Sequence, residues 1–189
     1  MTFIEFIIPT FHRPNELKCL LYSLVSQKDE DWTAHVVIDN PNDKENKTLV
    51  KEMYDNRIYY SLMEKRYNDW GHSLRQYAKE KSKSQYVVLT CDDNYYMPTF
   101  VSEVKFASKE FPGMVYCDMI HSHYKYHYFK CVPAFNQIDM GAFAIRTELA
   151  KQITMKTVFA ADGLFVEDFK TMFPNEKMIR IDKVLFVHN

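Results

Sequence analysis

Hydrophobic and polar positions along this chain follow two alternating periods. Short apolar runs of strand length are separated by stretches in which apolar residues recur at helical spacing. Phe3 to Pro9 (FIEFIIP) is an apolar run closing on a proline, the pattern of a buried strand. Leu17, Leu20, Leu21, Leu24 and Val25 then share one helical face, on a helix opening near Pro14 or Asn15. Ala34 to Ile38 predicts a second strand, and Asp39-Asn40-Pro41-Asn42-Asp43 after it is turn chemistry. A polar helix anchored by Leu49, Val50 and Met53 leads to a third strand at Arg57 to Leu62. Trp70, Leu74, Tyr77 and Ala78 predict the next helix. Tyr86 to Thr90 is the fourth strand, and Pro98 opens a helix carrying Phe100, Val101 and Val104.

Strand–helix units in this order predict a parallel α/β sheet, because parallel neighbours need a helical crossover. After Gly113 the texture changes. Met114 to Asp118 reads as a strand, Ser122 to Val132 as an edge or antiparallel strand, and Met140 to Arg146 as another. Phe165, Phe169, Met172 and Phe173 mark a last helix, and Met178 to Val187 a final strand. No internal repeat or linker interrupts the 189 residues. The expectation is therefore one domain, 1–189, built from a half at 1–112 and a half at 113–189.

Charge and composition narrow the chemistry. Lys and Arg number 24 against 25 Asp and Glu, so no broad basic face offers itself to nucleic-acid phosphates. The 4 glycines (Gly71, Gly113, Gly141, Gly163) lie too far apart for a Walker loop or a G-x-G-x-x-G fingerprint, and no G-x-S-x-G elbow occurs. Cys19, Cys91, Cys117 and Cys131 stand singly in apolar surroundings and read as buried free thiols. They suit a reducing compartment. With no signal peptide and no run of about 20 apolar residues, the expectation is a soluble, cytoplasmic protein.

In open α/β sheets ligands bind beyond the carboxyl ends of the strands. Asp39 follows the second strand, and Asp92-Asp93-Asn94 follow the fourth. Adjacent acids at a sheet edge repel. A hard divalent cation bridging them to substrate phosphates would offset that repulsion. On spacing alone the pair reads equally as a solvated turn, with Asp93 or Asn94 capping the helix near Pro98. The position after the fourth strand does not suit a receiver domain, and the D-x-D-x-[TV] of haloacid-dehalogenase-like phosphatases is missing.

Several blocks taken together resemble a known family. IIPTFHRP, LLYSLVSQ and VVIDN are similar to the opening of family 2 nucleotide-diphospho-sugar glycosyltransferases, which have the GT-A fold. YVVLTCDDNYYMPTFV resembles their aspartate motif in the T-D-D-N-x-Y-M-P form of SpsA-like members. NQIDMGAFAIR looks like the acceptor-side strand, FAADGLFVEDF like the segment bearing the catalytic base, and KVLFVHN like the strand after it.

The resemblance implies a Rossmann-like, mostly parallel central sheet with a small antiparallel acceptor-side portion. It implies that Pro9, Thr10 and Arg13 line the nucleotide pocket, and that Asp39 meets the base edge. Arg66, Asn68 or Arg75 would approach the nucleotide or diphosphate, although Asn68-Asp69-Trp70-Gly71-His72 departs from the family's small-residue pattern there. Asp92 would face the ribose, Asp93 would hold Mn²⁺ or Mg²⁺ with His188 as a second ligand, and Asp162 would be the general base. The activity implied is inverting transfer from a UDP- or dTDP-sugar to a glycan or lipid-linked acceptor. The chain would then be a peripheral protein without a membrane span, and one domain of a longer polypeptide.

Rival assignments remain. Asp162 could merely cap a helix, with Glu167 and then Asp168 as other candidate bases. His121 and His123 share a strand face but lack a third ligand for a metal. Tyr124, Tyr126 and Tyr128 beside them either stack on sugars or pack structurally. The non-enzymatic alternative is an inactive nucleotide- or sugar-binding module of the same fold.

Overall fold

A computed structural model describes residues 1–189. The first strand, β1 (Ile4–Thr10), is buried along its whole length, as a strand covered on both faces must be. It lies between β2 (Trp32–Ile38) and β4 (Tyr86–Leu89), parallel to both, and β3 (Ile58–Leu62) extends the parallel set beyond β2. The crossovers are α1 (Pro14–Val25), α2 (Lys44–Glu52) and α3 (His72–Lys81). Pro14 opens α1, where a missing amide hydrogen costs nothing.

The second half completes the same sheet with a change of direction. After β5 (Tyr95–Tyr96), α4 (Phe100–Ala107), β6 (Met114–His121) and β7 (His127–Phe129), β8 (Phe143–Arg146) inserts antiparallel between β4 and β6. The short α5 (Thr147–Ala150) and α6 (Ala161–Met172) lead to β9 (Met178–His188), which runs parallel to β6. The order is β3-β2-β1-β4-β8-β6-β9-β5, with β7 hairpinned onto β6. One cluster of 49 buried hydrophobic residues underlies both halves. At its centre Phe6, Tyr96 and Phe100 meet with ring centroids 4.7–5.7 Å apart. Each such burial stabilises the fold by about 1.5–3 kcal/mol. No helix is long and apolar enough to cross a membrane.

Four local expectations change. Trp70 does not belong to the helix: α3 starts at His72, and Trp70 (φ 56°) and Gly71 (φ 79°) turn the chain in left-handed conformations just before it. Its helical spacing from Leu74 is coincidental, and its ring is 62% exposed. The predicted strand at Ser122–Val132 shrinks to His127–Phe129, because Lys125 and Tyr126 both take positive φ to make a hairpin turn. Strand β5 went unpredicted, since two residues carry no period. Cys117 and Cys131 are buried free thiols as expected, but Cys19 is exposed on the solvent face of α1.

Lys79 shows how the halves interlock. Its side chain is fully buried, and Nζ donates to the carbonyls of Ala150 (2.9 Å), the last residue of α5, and Ile153 (2.5 Å), just beyond it. Burial lowers its pKa to about 8.

Candidate active site

The loop leaving β1 is shaped by Asp43, which is fully buried and receives the backbone N–H of His12 (2.8 Å) and that of Asn46 (3.1 Å). His12 takes φ 50° there, turning the chain from strand to helix and presenting Thr10 and Arg13 to the end of β4. Thr10 Oγ1 donates to Asp92 at 2.7 Å, and Arg13 bridges the acidic pair, reaching Asp92 at 3.1 Å and Asp93 at 2.9 Å. Asp92 and Asn94 are buried, and the cap of α4 is Thr99, so the acids are not a solvated turn. Burial pushes Asp92 up to about 6 against the pull of Thr10 and Arg13.

A cavity of about 490 Å³ opens above these strand ends. Pro9, Thr10, Arg13 and Asp39 line it from β1 and β2, and Arg66, Asn68, Arg75 and Asp92 close it from the other side. Asp39 is buried and accepts the backbone N–H groups of Tyr67 (2.8 Å) and Asn68 (3.2 Å), which ties the 66–71 loop over the cavity. Arg66 lies 3.6 Å from the centroid of the Phe11 ring. Arg75 is buried, and its N–H groups all point at protein acceptors: the carbonyls of Thr90 and Trp70, Cys91 Sγ and His72 Nδ1. It sets the shape of the wall as a brace between α3 and the end of β4. Asp69 Oδ1, also in this lining, is buried without a partner.

A second cavity, about 770 Å³, adjoins the first and shares Trp70, Arg75, Cys91 and Asp93 with it. Asp162, Asp139 and His188 all line this space. Asp162 lies in the first turn of α6; the cap position is Ala160, so its carboxylate is not spent on capping. Burial, with the nearby Asp139 charge, pushes Asp162 up to about 6. Glu167 instead accepts the amide of Phe135 and pairs with Lys170, and Asp168 pairs with Lys156. Neither lines either of these two cavities.

Asp139 is the residue that sequence reasoning passed over. It precedes a single 3-10 turn (Met140–Ala142), accepts the Gly141 amide at 2.7 Å and faces His188 Nε2 at 3.7 Å. Burial holds its pKa above the ordinary carboxylate range. The available signal was a lone acid inside the apolar stretch QIDMGAF.

His188 sits at the end of β9 with Nδ1 3.0 Å from Ser122 Oγ and its ring stacked on His121 at 4.2 Å. It is the third imidazole that His121 and His123 lacked, yet it stacks on His121 and meets His123 edge to face, centroids 5.3 Å apart. No group of three or more His, Cys, Asp or Glu side chains could hold a metal unaided. A hard cation can nonetheless take one or two protein ligands and draw the rest from phosphate oxygens. Asp93 and His188, 17% and 19% exposed, offer a carboxylate and an imidazole on the same cavity. The donor set therefore fits Mn²⁺ or Mg²⁺ bound with a diphosphate. Burial lowers the pKa of His188 while Asp93 and Asp162 pull it back, so the neutral, ligating form prevails at pH 7.

The half-parallel sheet, with acids beyond its strand ends and two joined cavities above them, has GT-A architecture. The sequence profile described as Glycosyl transferase family 2 matches residues 5–159, and the chain belongs to that family. Among solved structures, S. aureus TarS 1-349 superposes with a TM-score of 0.81 at 17% identity, over 99% of this chain and 60% of that one. The same TarS fragment in complex with UDP-GlcNAc gives 0.76 at 18%, over 98% and 58%. The mannosyltransferase PcManGT from Pyrobaculum calidifontis, in complex with GDP-Man and Mn²⁺, gives 0.76 at 17%, over 99% and 56%. The chain thus spans roughly 60% of the length of the structures it resembles. At these identities the likeness establishes the fold. A search of curated proteins finds no match.

Proposed function

We propose that this protein is a metal-dependent, inverting glycosyltransferase, moving a hexose-type sugar from a UDP- or dTDP-sugar to a hydroxyl of a glycan or lipid-linked glycan. One observation carries the reading. Pro9, Thr10, Arg13, Asp39, Arg66, Asn68, Arg75 and Asp92 wall one cavity, while Asp162 lines the neighbouring one, with Asp93 common to both. The nucleotide-sugar complexes of structural neighbours support the donor class.

The nucleotide lies in the smaller cavity. Asp39 keeps lone pairs free for a base edge, since a carboxylate offers about four acceptor sites and two amides use only part of them. Asp92 meets the ribose, and Arg66 and Asn68 close over the nucleotide. Arg75 acts on the diphosphate region by bracing its wall. Asp93 and His188 hold the metal, which when bound supplies Lewis-acid stabilisation of the diphosphate leaving group.

In the larger cavity Asp162 takes the proton from the acceptor hydroxyl as its oxygen attacks the anomeric carbon. One displacement from the face opposite the leaving group inverts that carbon, as in inverting glycosidases where water is the nucleophile. Burial serves this role, because a carboxylate with a pKa near 6 is a stronger base than one near 4 and is still ionised at pH 7.

The test is a thermal-shift panel of nucleotides and nucleotide sugars with and without Mn²⁺, followed by calorimetry on Asp93→Ala. A ligand at 100 times its Kd stabilises by about 2.7 kcal/mol, which the panel resolves. Metal-dependent UDP binding that weakens in Asp93→Ala is expected; unchanged, metal-independent affinity would overturn the metal assignment.

A further inference from the structure

Two large aromatic side chains stand nearly uncovered at the rim of the larger cavity. Trp70 is 62% exposed and Phe159 is 77% exposed, their rings edge to face with centroids 6.3 Å apart. They come from segments far apart in sequence that are tied together beneath the rings. His72 Nε2 lies 3.1 Å from the Val158 carbonyl, and Arg75 holds the Trp70 carbonyl at 2.8 Å. Trp70 also keeps a left-handed backbone (φ 56°), which a bulky residue adopts only when its surroundings impose it. The chain therefore fixes two apolar faces in water, which costs stability unless a ligand covers them.

The cavity's charge restricts what that ligand can be. Asp93, Asp139 and Asp162 line it, no lysine does, and the sole arginine, Arg75, has its N–H groups committed to protein acceptors. His72, His121, His123 and His188 line it too, and burial lowers the pKa of His72 and His121 to about 4 and that of His188 below its ordinary value. In the metal-free protein an anionic group entering here would meet these carboxylates and no free lysine or arginine. A pyranose ring suits both features: its axial C–H face is apolar and lies against an aromatic ring, while its hydroxyls reach the polar lining.

Resting on the transferase reading above, we propose that Trp70 and Phe159 form the platform for the acceptor, and that the acceptor unit they bind is an uncharged pyranoside. Trp70 lines both cavities, so a sugar stacked on it lies next to the donor and within the space that Asp162 lines. In the metal-free protein uronic acids and sugar phosphates are repelled from this subsite by the same carboxylates.

The experiment titrates the protein, without donor or metal, with the methyl glycosides of glucose, galactose, mannose and N-acetylglucosamine, and in parallel with glucuronic acid and glucose 6-phosphate. Binding is followed by tryptophan fluorescence and by calorimetry. The protein has 2 tryptophans, and Trp32 is buried, so a ligand-dependent change reports on Trp70. At least one neutral glycoside should saturate while the two anions do not. Its Kd should rise about 10-fold in Phe159→Ala, the loss of one aromatic contact. Trp70→Phe, which keeps an aromatic face, should retain calorimetric binding where Trp70→Ala loses it. No saturable response to any neutral glycoside, tighter binding of the anions, or equal affinity in Phe159→Ala would each overturn the proposal. Because no donor is present, these outcomes are separate from a failure of the transferase reading, which would appear as absent nucleotide-sugar binding in the thermal-shift panel.

Discussion

The guanidinium of Arg13 lies 2.9 Å from the carboxylate of Asp93. The acidic pair after β4 is thus partly neutralised from within the chain, before any metal arrives. A divalent cation at Asp93 must share that carboxylate with a positive charge. We therefore expect Arg13→Ala to tighten binding of Mn²⁺ alone several-fold, since a unit charge about 4 Å away is worth about 1 kcal/mol even in water. Nucleotide affinity should fall in the same variant. Calorimetric titration with Mn²⁺ and then UDP checks both; weaker metal binding would show that Arg13 orders the aspartates instead of competing with the metal.

Asp162 lies in the first turn of α6, with a pKa near 6 set by burial and by Asp139. In the proposed role as base it must be ionised, so transfer should decline as pH drops through about 6. Asp162→Asn should bind donor normally and lose about 10²–10⁴ in kcat. A pH–rate profile of transfer, with initial rates for the variant, decides this. Turnover near that of the unsubstituted protein in Asp162→Asn would transfer the role to Asp139.

The same shift has a thermodynamic consequence of opposite sign. A carboxyl whose folded-state pKa is raised from 3.8 to about 6 resists ionisation in the native state, so stability is lost as pH rises through that window. Two pKa units amount to roughly 3 kcal/mol. Asp162→Asn should therefore unfold at higher temperature than the unsubstituted protein at pH 7–8, and the two should converge near pH 4. Calorimetric unfolding across this range tests it. A residue that gains activity at the expense of stability is a functional residue, whereas a variant less stable at pH 8 would make Asp162 structural.

How far the sequence could disclose this arrangement depends on range. The strands β1 and β4 were legible because an apolar run of strand length, interrupted within β1 only by Glu5, has few other uses, and Leu17 to Leu24 marked α1 by period alone. Asp39, Asp92 and Asp93 could be flagged because strand ends in such sheets face ligands. What period cannot show is which side chains meet across the fold. Arg13 and Asp92 are 79 positions apart, and Val158 lies 86 from His72. Asp139 looked like an ordinary residue of a strand. Trp70 misled in the other direction, since its spacing imitated a helix that begins two residues later.

Gly71 offers a last test, because it joins the strained Trp70 to the wall of the smaller cavity, the proposed nucleotide pocket. Its φ is 79°, and a Cβ built on it would lie 2.5 Å from Pro9 Cβ. Neither the backbone nor the proline ring can yield cheaply, as β1 is buried on both sides at Pro9. Gly71→Ala should therefore destabilise the protein by about 1–3 kcal/mol, the cost of a residue held in an unfavourable backbone region. Because relief of the clash requires Pro9 and the 66–71 loop to separate, nucleotide affinity should fall as well. Loss of the amides of Tyr67 and Asn68 from Asp39 would accompany it. Denaturant unfolding and UDP calorimetry on the same preparation distinguish the cases. A variant that is destabilised but binds UDP normally would mean that the loop moves independently of the nucleotide pocket.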